Sequence, residues 1–474
     1  MEFRPIPPKQ STSAILSKLL IISGLLTVSG CDTLDDLPVG KGFTAKYLCS
    51  YLFTSQLDEK LITHRFIAPK VQPLPLIWKI NINHEEKSVN VADRVFLNKS
   101  LEARAIYRDG AGCTLVVDKT DEEVLAHQII PMAPPEIPTE QPWPYGAAGL
   151  TNETIPGLDI TRVDTAVTSA FIEPEDAPRN TTSLLVAYDG KLIAEQYDLG
   201  VTSDTPMLGW SMTKSISGTL IGILNDRNLL DLDDPAPIAG WEGTEKAAIT
   251  TRDIVHMSSG LAFNEDYLGF SNVTHMLYRE NDQAAYTANL DLAHPPGTYF
   301  NYSTGDANLL GKIVQQTVGG SAQNAYDFYQ TELFHKVDIR SAFIEVDTTG
   351  QFVGGAYAFM TPRDWARLGQ LYLQEGNWRG EQVISSEWVN YVSKPSPLTD
   401  EYGGQIWLNS NGIDWPNVPH DAYFFAGHQG QRVVVIPSKK LVVVRTGVTE
   451  NYDVIGLDGV VSEIIAALPE ASLP

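Results

Sequence analysis

Three cysteines in 474 residues are too few for a disulfide scaffold, so a packed core must supply most of the stability. Positive charge is short as well. The 34 Lys and Arg face 58 Asp and Glu, and a formal charge of −24 lacks the basic footprint that nucleic-acid binding needs. A zinc-binding helix motif is missing, since His84-Glu85-Glu86 has no second histidine and the other histidines are scattered. There is no phosphate-cradling glycine loop, internal repeat or low-complexity tract. The expectation is therefore no metal, no cofactor and no nucleic-acid partner. What is present is a globular balance, 43% hydrophobic and 19% charged, with Leu, Ile and Val recurring along the chain. At about 150 residues per domain the length predicts two or three domains.

The first thirty residues read as an export signal, with Arg4, Lys9 and Lys18 ahead of an apolar run from Leu19 to Val28. That run makes a helix of about 15 Å against a bilayer core of roughly 30 Å, too short for a conventional span. Its ending, Leu26-Thr27-Val28-Ser29-Gly30-Cys31, resembles a bacterial lipobox. The resemblance implies that Cys31 becomes the lipidated mature N-terminus and that the protein is exported and anchored through lipid to a bacterial membrane, on the periplasmic side. An ordinary secretory signal that carries a cysteine is the alternative. Cys49 and Cys113 then remain as an even pair in an oxidising compartment, which favours one disulfide over two buried thiols. The loop so closed would contribute roughly 4 kcal/mol in the chain-entropy model.

Beyond the signal, residues 31–130 hold short alternating runs, such as Ser88-Val89-Asn90-Val91 and Thr114-Leu115-Val116-Val117, with a turn signal at Asp109-Gly110. They predict a small β-rich domain. Residues 131–157, which begin Pro131-Met132-Ala133-Pro134-Pro135, sustain neither helix nor central strand and predict an extended linker. From residue 158 to 474 the signals are those of one large α/β body. Leu184 to Tyr197 reads as a hairpin around Asp189-Gly190, and Met212 to Leu224 as a helix with Ile216, Leu220, Ile223 and Leu224 on one face. Val433 to Ile436 and Leu441 to Val444 read as a second hairpin, and Val454 to Leu468 as a closing helix. An antiparallel sheet with helices on its faces and a helical lobe between the hairpins fits this order, an α/β (α+β) fold.

Chemistry concentrates in Gly209-Trp210-Ser211-Met212-Thr213-Lys214, the one Ser-x-x-Lys of the chain. Residues three apart share a helix face, so the Lys214 ammonium can lie against the Ser211 hydroxyl. A helix start also offers free backbone N–H groups and a positive dipole end to a growing oxyanion. A lysine buried beside an apolar helix can lose its proton near neutral pH and serve as a base. Taken alone the fragment is equally a serine cap followed by a solvated lysine. Thr213 stands where a Gly-x-Ser-x-Gly elbow would need its second glycine, which excludes an ordinary α/β-hydrolase nucleophile. Tyr302-Ser303-Thr304 follows a glycine-anchored turn at Pro296-Gly297-Thr298, and Gly427-His428-Gln429-Gly430-Gln431 precedes a strand. The loop from Asn264 to Arg279 adds Glu265, Tyr267 and Tyr278, which the sequence leaves as pocket, surface or packing residues alike.

As a set, the order Ser-x-x-Lys, Tyr-Ser-x, His-x-Gly resembles the serine β-lactamase and penicillin-binding protein superfamily, in particular its class C and esterase-like branch, which includes 6-aminohexanoate-dimer hydrolases. Met257-Ser258-Ser259-Gly260-Leu261 and Pro296-Gly297-Thr298 support the likeness, which covers about residues 160–468. It implies a β-lactamase/transpeptidase-like domain in which Ser211 is the acylated nucleophile and Lys214 with Tyr302 moves its proton. The Ser211 and Gln431 N–H groups would form the oxyanion hole, and His428 and Gly430 would face the substrate. Two departures bear on that substrate. Thr304 replaces the usual Asn of Tyr-x-Asn, and His428-Gln429-Gly430 replaces a Lys-Thr-Gly whose cation pairs with a substrate carboxylate. A neutral histidine lacks that charge but can donate a hydrogen bond. The expectation is a serine hydrolase acting through an acyl-enzyme on small esters or amides. The alternative is a binder of penicillin or cell-wall fragments with little or no turnover.

Overall fold

In the computed structural model, which describes residues 32–71, 78–94, 102–175, 177–267 and 269–470, the chain enters as a helix, α1 (Asp32–Cys49). The small β-rich domain expected over residues 31–130 is present as a sheet, and this helix precedes it. From Val39 to Cys49 every residue of α1 is buried, so this stretch has no solvated face and carries no amphipathic period. Further helical turns run to Val71, and only then does a four-stranded antiparallel meander follow: β1 (Trp78–Asn83), β2 (Ser88–Asp93), β3 (Ala103–Arg108) and β4 (Gly112–Leu115). The export segment and Cys31 lie outside the described residues.

Two buried lysines tie α1 down. Lys41 Nζ lies 2.8 Å from Asp93 Oδ2, and Lys46 pairs with Glu345 of the large body. Cys49 at the end of α1 is bonded to Cys113 on β4, closing a loop with a sequence separation of 64. The aromatic residues of α1, Phe43 and Tyr47, share one apolar cluster with Trp210, Tyr278 and Tyr357 of the large body. The N-terminal segment therefore completes a core with the rest of the chain. Residues 131–157 then cross the surface largely without regular structure. Arg367 holds them through the carbonyls of Pro144 and Gly146, at 2.8 Å each, and Trp143 is buried with its Nε1–H on the Arg363 carbonyl.

The large body is organised on a six-stranded antiparallel sheet, into which β5 (Thr181–Tyr188) and β6 (Lys191–Tyr197) come from one end of the chain. The other end supplies β7 (Trp407–Leu408), β8 (Tyr423–Gly427), β9 (Gln431–Ile436) and β10 (Leu441–Gly447), in the order β7-β8-β9-β10-β5-β6. Val433 pairs with Val444 and Val434 with Val443, and their alternation feeds two cores. Val433, Val435, Val442 and Val444 pack with α3 (Met212–Asp226) and α5 (Pro362–Leu373), whereas Val434, Ile436, Leu441 and Val443 pack with α2 (Ile160–Ser169) and α6 (Leu457–Ala467). Both faces being covered explains why these strands read as unbroken Val and Leu runs. The helical lobe lies between β6 and β7 in sequence and contributes α4 (Thr304–Thr317), which packs against α3. Among the described residues no helix is long and apolar enough to cross a membrane.

Candidate active site

Ser211 stands at the start of α3, on the turn leading out of the buried residues Gly209 and Trp210. Trp210 adopts a left-handed backbone conformation with φ of 49°, which costs energy in a bulky residue and persists because the surroundings over-determine it. Its indole stacks on Tyr47 of α1 at 4.8 Å and donates from Nε1 to Gln429 Oε1 at 3.1 Å. Thr213 pins the same turn, donating to the Trp210 carbonyl at 2.6 Å and accepting from the Ala358 N–H at 2.9 Å.

The Ser211 hydroxyl makes no capping bond to its helix. It accepts instead from Lys214 Nζ at 2.9 Å, and that nitrogen also meets Thr304 Oγ1 at 2.8 Å and the Gly355 carbonyl at 3.0 Å. The reading of a solvated lysine behind a capping serine therefore fails, because Lys214 is only 1% exposed. Burial pulls its ammonium down to about 8, with the Glu265 charge opposing. Tyr302 lies beside this pair, its ring centroid 4.9 Å from Lys214 Nζ and its ring packed on Trp407. Burial and the Glu265 charge raise the phenol's pKa, and the Ser211 hydroxyl opposes them.

The stretch 264–279 is a loop only in its first half, from which Glu265 and Tyr267 join the site; its second half is the helix Asn272–Arg279, and Tyr278 on that helix does not. Glu265 accepts the Thr304 N–H at 2.7 Å and the Thr304 hydroxyl, and Tyr267 donates to its Oε1 at 3.3 Å. The Thr304 hydroxyl thus accepts from Lys214 and donates to Glu265, a bridge that an asparagine amide would not make in the same way. Burial raises the Glu265 carboxyl above its ordinary value, with Lys214 opposing. Tyr278 packs instead in the core beneath α1, edge-on to Phe43 at 5.7 Å.

At the far wall, β8 runs antiparallel to β9 and brings Ala426, Gly427 and His428 to the cavity. Gly427 is required by close approach, since a Cβ there would lie 2.2 Å from the Gly209 carbonyl oxygen. Neither the Ser211 N–H nor the His428 N–H has an acceptor among the described residues. This corrects the placement of Gln431 and Gly430, which do not line the cavity. The Gln431 side-chain amide is buried and zips β9 to β10, accepting from the Gly447 N–H at 3.1 Å and donating to the Gly447 carbonyl. Gly430, at φ of 84°, covers the Arg445 guanidinium. The His428 ring does not present a hydrogen bond to substrate either. Tyr452 holds Nδ1 at 2.9 Å, Nε2 is buried without a partner, and the ring stacks on Tyr267 at 4.9 Å. Burial lowers its pKa to about 3, so the ring is neutral.

These groups surround a cavity of about 350 Å³ that Trp407, Trp415 and Phe424 line with apolar surface. A hydroxyl facing a depressed ammonium, a neighbouring phenol and two free N–H groups can attack a carbonyl and stabilise the oxyanion that forms. Among the described residues no cluster of three or more His, Cys, Asp and Glu could hold a metal.

Comparison with known proteins gives the family and the fold. Residues 169–448 match the family model described as Beta-lactamase. The chain is 27% identical over 295 residues to the 6-aminohexanoate-dimer hydrolase of Paenarthrobacter ureafaciens, covering 56% of this chain and 74% of that one. Among solved structures, a class C beta-lactamase superposes with a TM-score of 0.52 at 16% identity, over 69% of this chain and 100% of that one. A penicillin-binding protein homologue from Caulobacter crescentus gives 0.50 at 14% identity, over 68% of this chain and 100% of that one.

Proposed function

The chain belongs to the beta-lactamase family, and on that premise we propose that it is a serine hydrolase that cleaves small esters or amides through an acyl-enzyme on Ser211. The observation that carries this reading is the 2.9 Å contact between Lys214 Nζ and Ser211 Oγ, with the ammonium lowered to about 8. Neutral Lys214 removes the Ser211 proton as Oγ bonds to the carbonyl carbon. The Ser211 and His428 N–H groups receive the oxyanion; such donors are each worth about 2.7–4 kcal/mol. Collapse expels the leaving group, which takes its proton from the Lys214 and Tyr302 pair, and water then releases the acyl group by the reverse transfers. A relative named 6-aminohexanoate-dimer hydrolase is consistent with this chemistry, since the same acyl-enzyme route serves ester and amide donors. We also propose that the body is exported and tethered through lipid at Cys31, a reading supported by the sequence ending at that cysteine.

The pH profile tests the base. Lys214 acts only when neutral, so kcat/KM for short p-nitrophenyl esters should rise about tenfold per unit below pH 8 and level above it. Lys214→Arg keeps the charge, cannot deprotonate, and should lose the profile along with the activity. An inflection near pH 6.5 that moves with substitutions at His428 would sink the assignment.

A further inference from the structure

The fixed positive charge that His428 does not supply is present in the same cavity, on Arg432 of β9. Its Nη1 donates to the carbonyls of Gly427 at 2.9 Å and Gln431 at 2.8 Å, so both hydrogens of that nitrogen are used. The edge formed by Nε and Nη2 has no partner among the described residues. Arg445, the neighbour of Arg432 across the β9–β10 pair, marks the contrast. That guanidinium is sealed in protein and occupied by the carbonyls of Gly430 and Arg179 and the hydroxyls of Thr181 and Thr449. It is a structural cation. Arg432 lines the cavity and is only partly buried, and its Nε is not among the sealed, unpaired polar atoms, as Arg445 Nε is.

The charged groups around Arg432 leave that edge free. Glu265 is engaged by Thr304, and Asp414 is exposed on the wall and makes no ion pair with Arg432 among the described residues. Burial lowers the guanidinium's pKa, with Tyr452, Tyr302 and Asp414 opposing. The group nevertheless stays charged at neutral pH. In a chain with a formal charge of −24, an unpaired cation in the nucleophile's own cavity is an anion site. The Nε/Nη2 edge offers two parallel N–H donors, the side-on fork that matches the two oxygens of a carboxylate.

We propose that the substrate of Ser211 carries a carboxylate and that the Nε/Nη2 edge of Arg432 holds it, which rests on the hydrolase reading above. Because Nη1 grips the Gly427 carbonyl next to the His428 N–H, a bound carboxylate is held by the same side chain that steadies the oxyanion strand.

Two substrate pairs test this. One compares 4-nitrophenyl hydrogen adipate with its methyl ester, placing the charge on the acyl side. The other compares 3-acetoxybenzoate with 3-acetoxybenzamide, placing it on the leaving group. Blanks are taken with Ser211→Ala. The wild type should favour the acid by roughly tenfold or more in kcat/KM in at least one pair, the size expected of a charge-assisted contact. In Arg432→Gln the ratio should fall to about one whatever the absolute rate, and Arg432→Lys should keep part of it. A wild-type ratio at or below one in both pairs overturns the inference even if the variants fail to fold, as does a ratio that survives Arg432→Gln. Both of those outcomes require ester turnover. If no ester is turned over and no adduct forms on Ser211, it is the hydrolase reading that has failed.

Discussion

Ser211→Ala should lower kcat/KM for short p-nitrophenyl esters by about 10⁴- to 10⁶-fold, a loss of roughly 5–8 kcal/mol of transition-state stabilisation. The loss is large because the covalent route disappears, while the two N–H donors and the cavity walls remain to give a small residual rate. Lys214 keeps its contacts with Thr304 and Gly355, so the lysine stays placed. The truncated atom is small and makes no capping bond, and the thermal midpoint should stay close to wild type. Intact mass gives the direct reading. Wild type mixed with an ester and quenched early should carry one acyl group, and the alanine variant none. A variant that retains more than about a hundredth of the activity would mean that another residue is the nucleophile. An acyl adduct with penicillin that persists would turn the substrate reading towards β-lactam donors.

How far the sequence leads depends on how local each signal is. Ser211 and Lys214 are legible because three-residue spacing on a helix by itself places one side chain against the other. The β9–β10 hairpin is legible because its runs of Val and Leu need burial on both faces. The oxyanion strand is misread for a physical reason. Gly427 and Gly430 are separated by two residues, and only packing tells that Gly427 presses against the Gly209 carbonyl while Gly430 covers Arg445. Gln431 is then spent on Gly447. The Val39–Cys49 stretch of α1 escapes periodicity because it is buried on all sides, and its Lys41 and Lys46 look like surface charges until their partners come from β2 and from residue 345. Glu265 and Tyr267 reach the site through a loop whose path no propensity sets. Arg432 gives no motif at all. What marks it is the edge its contacts leave open.

Removing one partner of the clamp between α1 and the large body should cost the fold heavily. Glu345 is fully buried and accepts the Cys113 N–H at 2.7 Å, the Ser50 hydroxyl at 3.0 Å and the Lys46 ammonium, which also donates to the Cys113 carbonyl at 2.7 Å. Glu345→Gln keeps the shape but leaves a buried cation without its counter-charge, which costs about 3–5 kcal/mol. Lys46→Met with Glu345→Leu removes both charges and should regain much of that loss. Thermal unfolding with the disulfide intact measures both. The pH dependence supplies the sign. Burial already lowers the Lys46 pKa and Glu345 opposes it, so in Glu345→Gln the ammonium gives up its proton in the folded state while the unfolded chain keeps it. The unfolded state then binds more protons, and the variant's stability should rise as pH goes from 7 to 9. A deficit under about 1 kcal/mol, or a double variant no better than the single one, would show that the pair is not what binds α1 to the body. The consequence reaches the nucleophile, because Tyr47, next to Lys46 on α1, stacks on the strained Trp210 that precedes Ser211. Loosening the clamp releases the support under that turn, and acylation should slow along with the loss of stability.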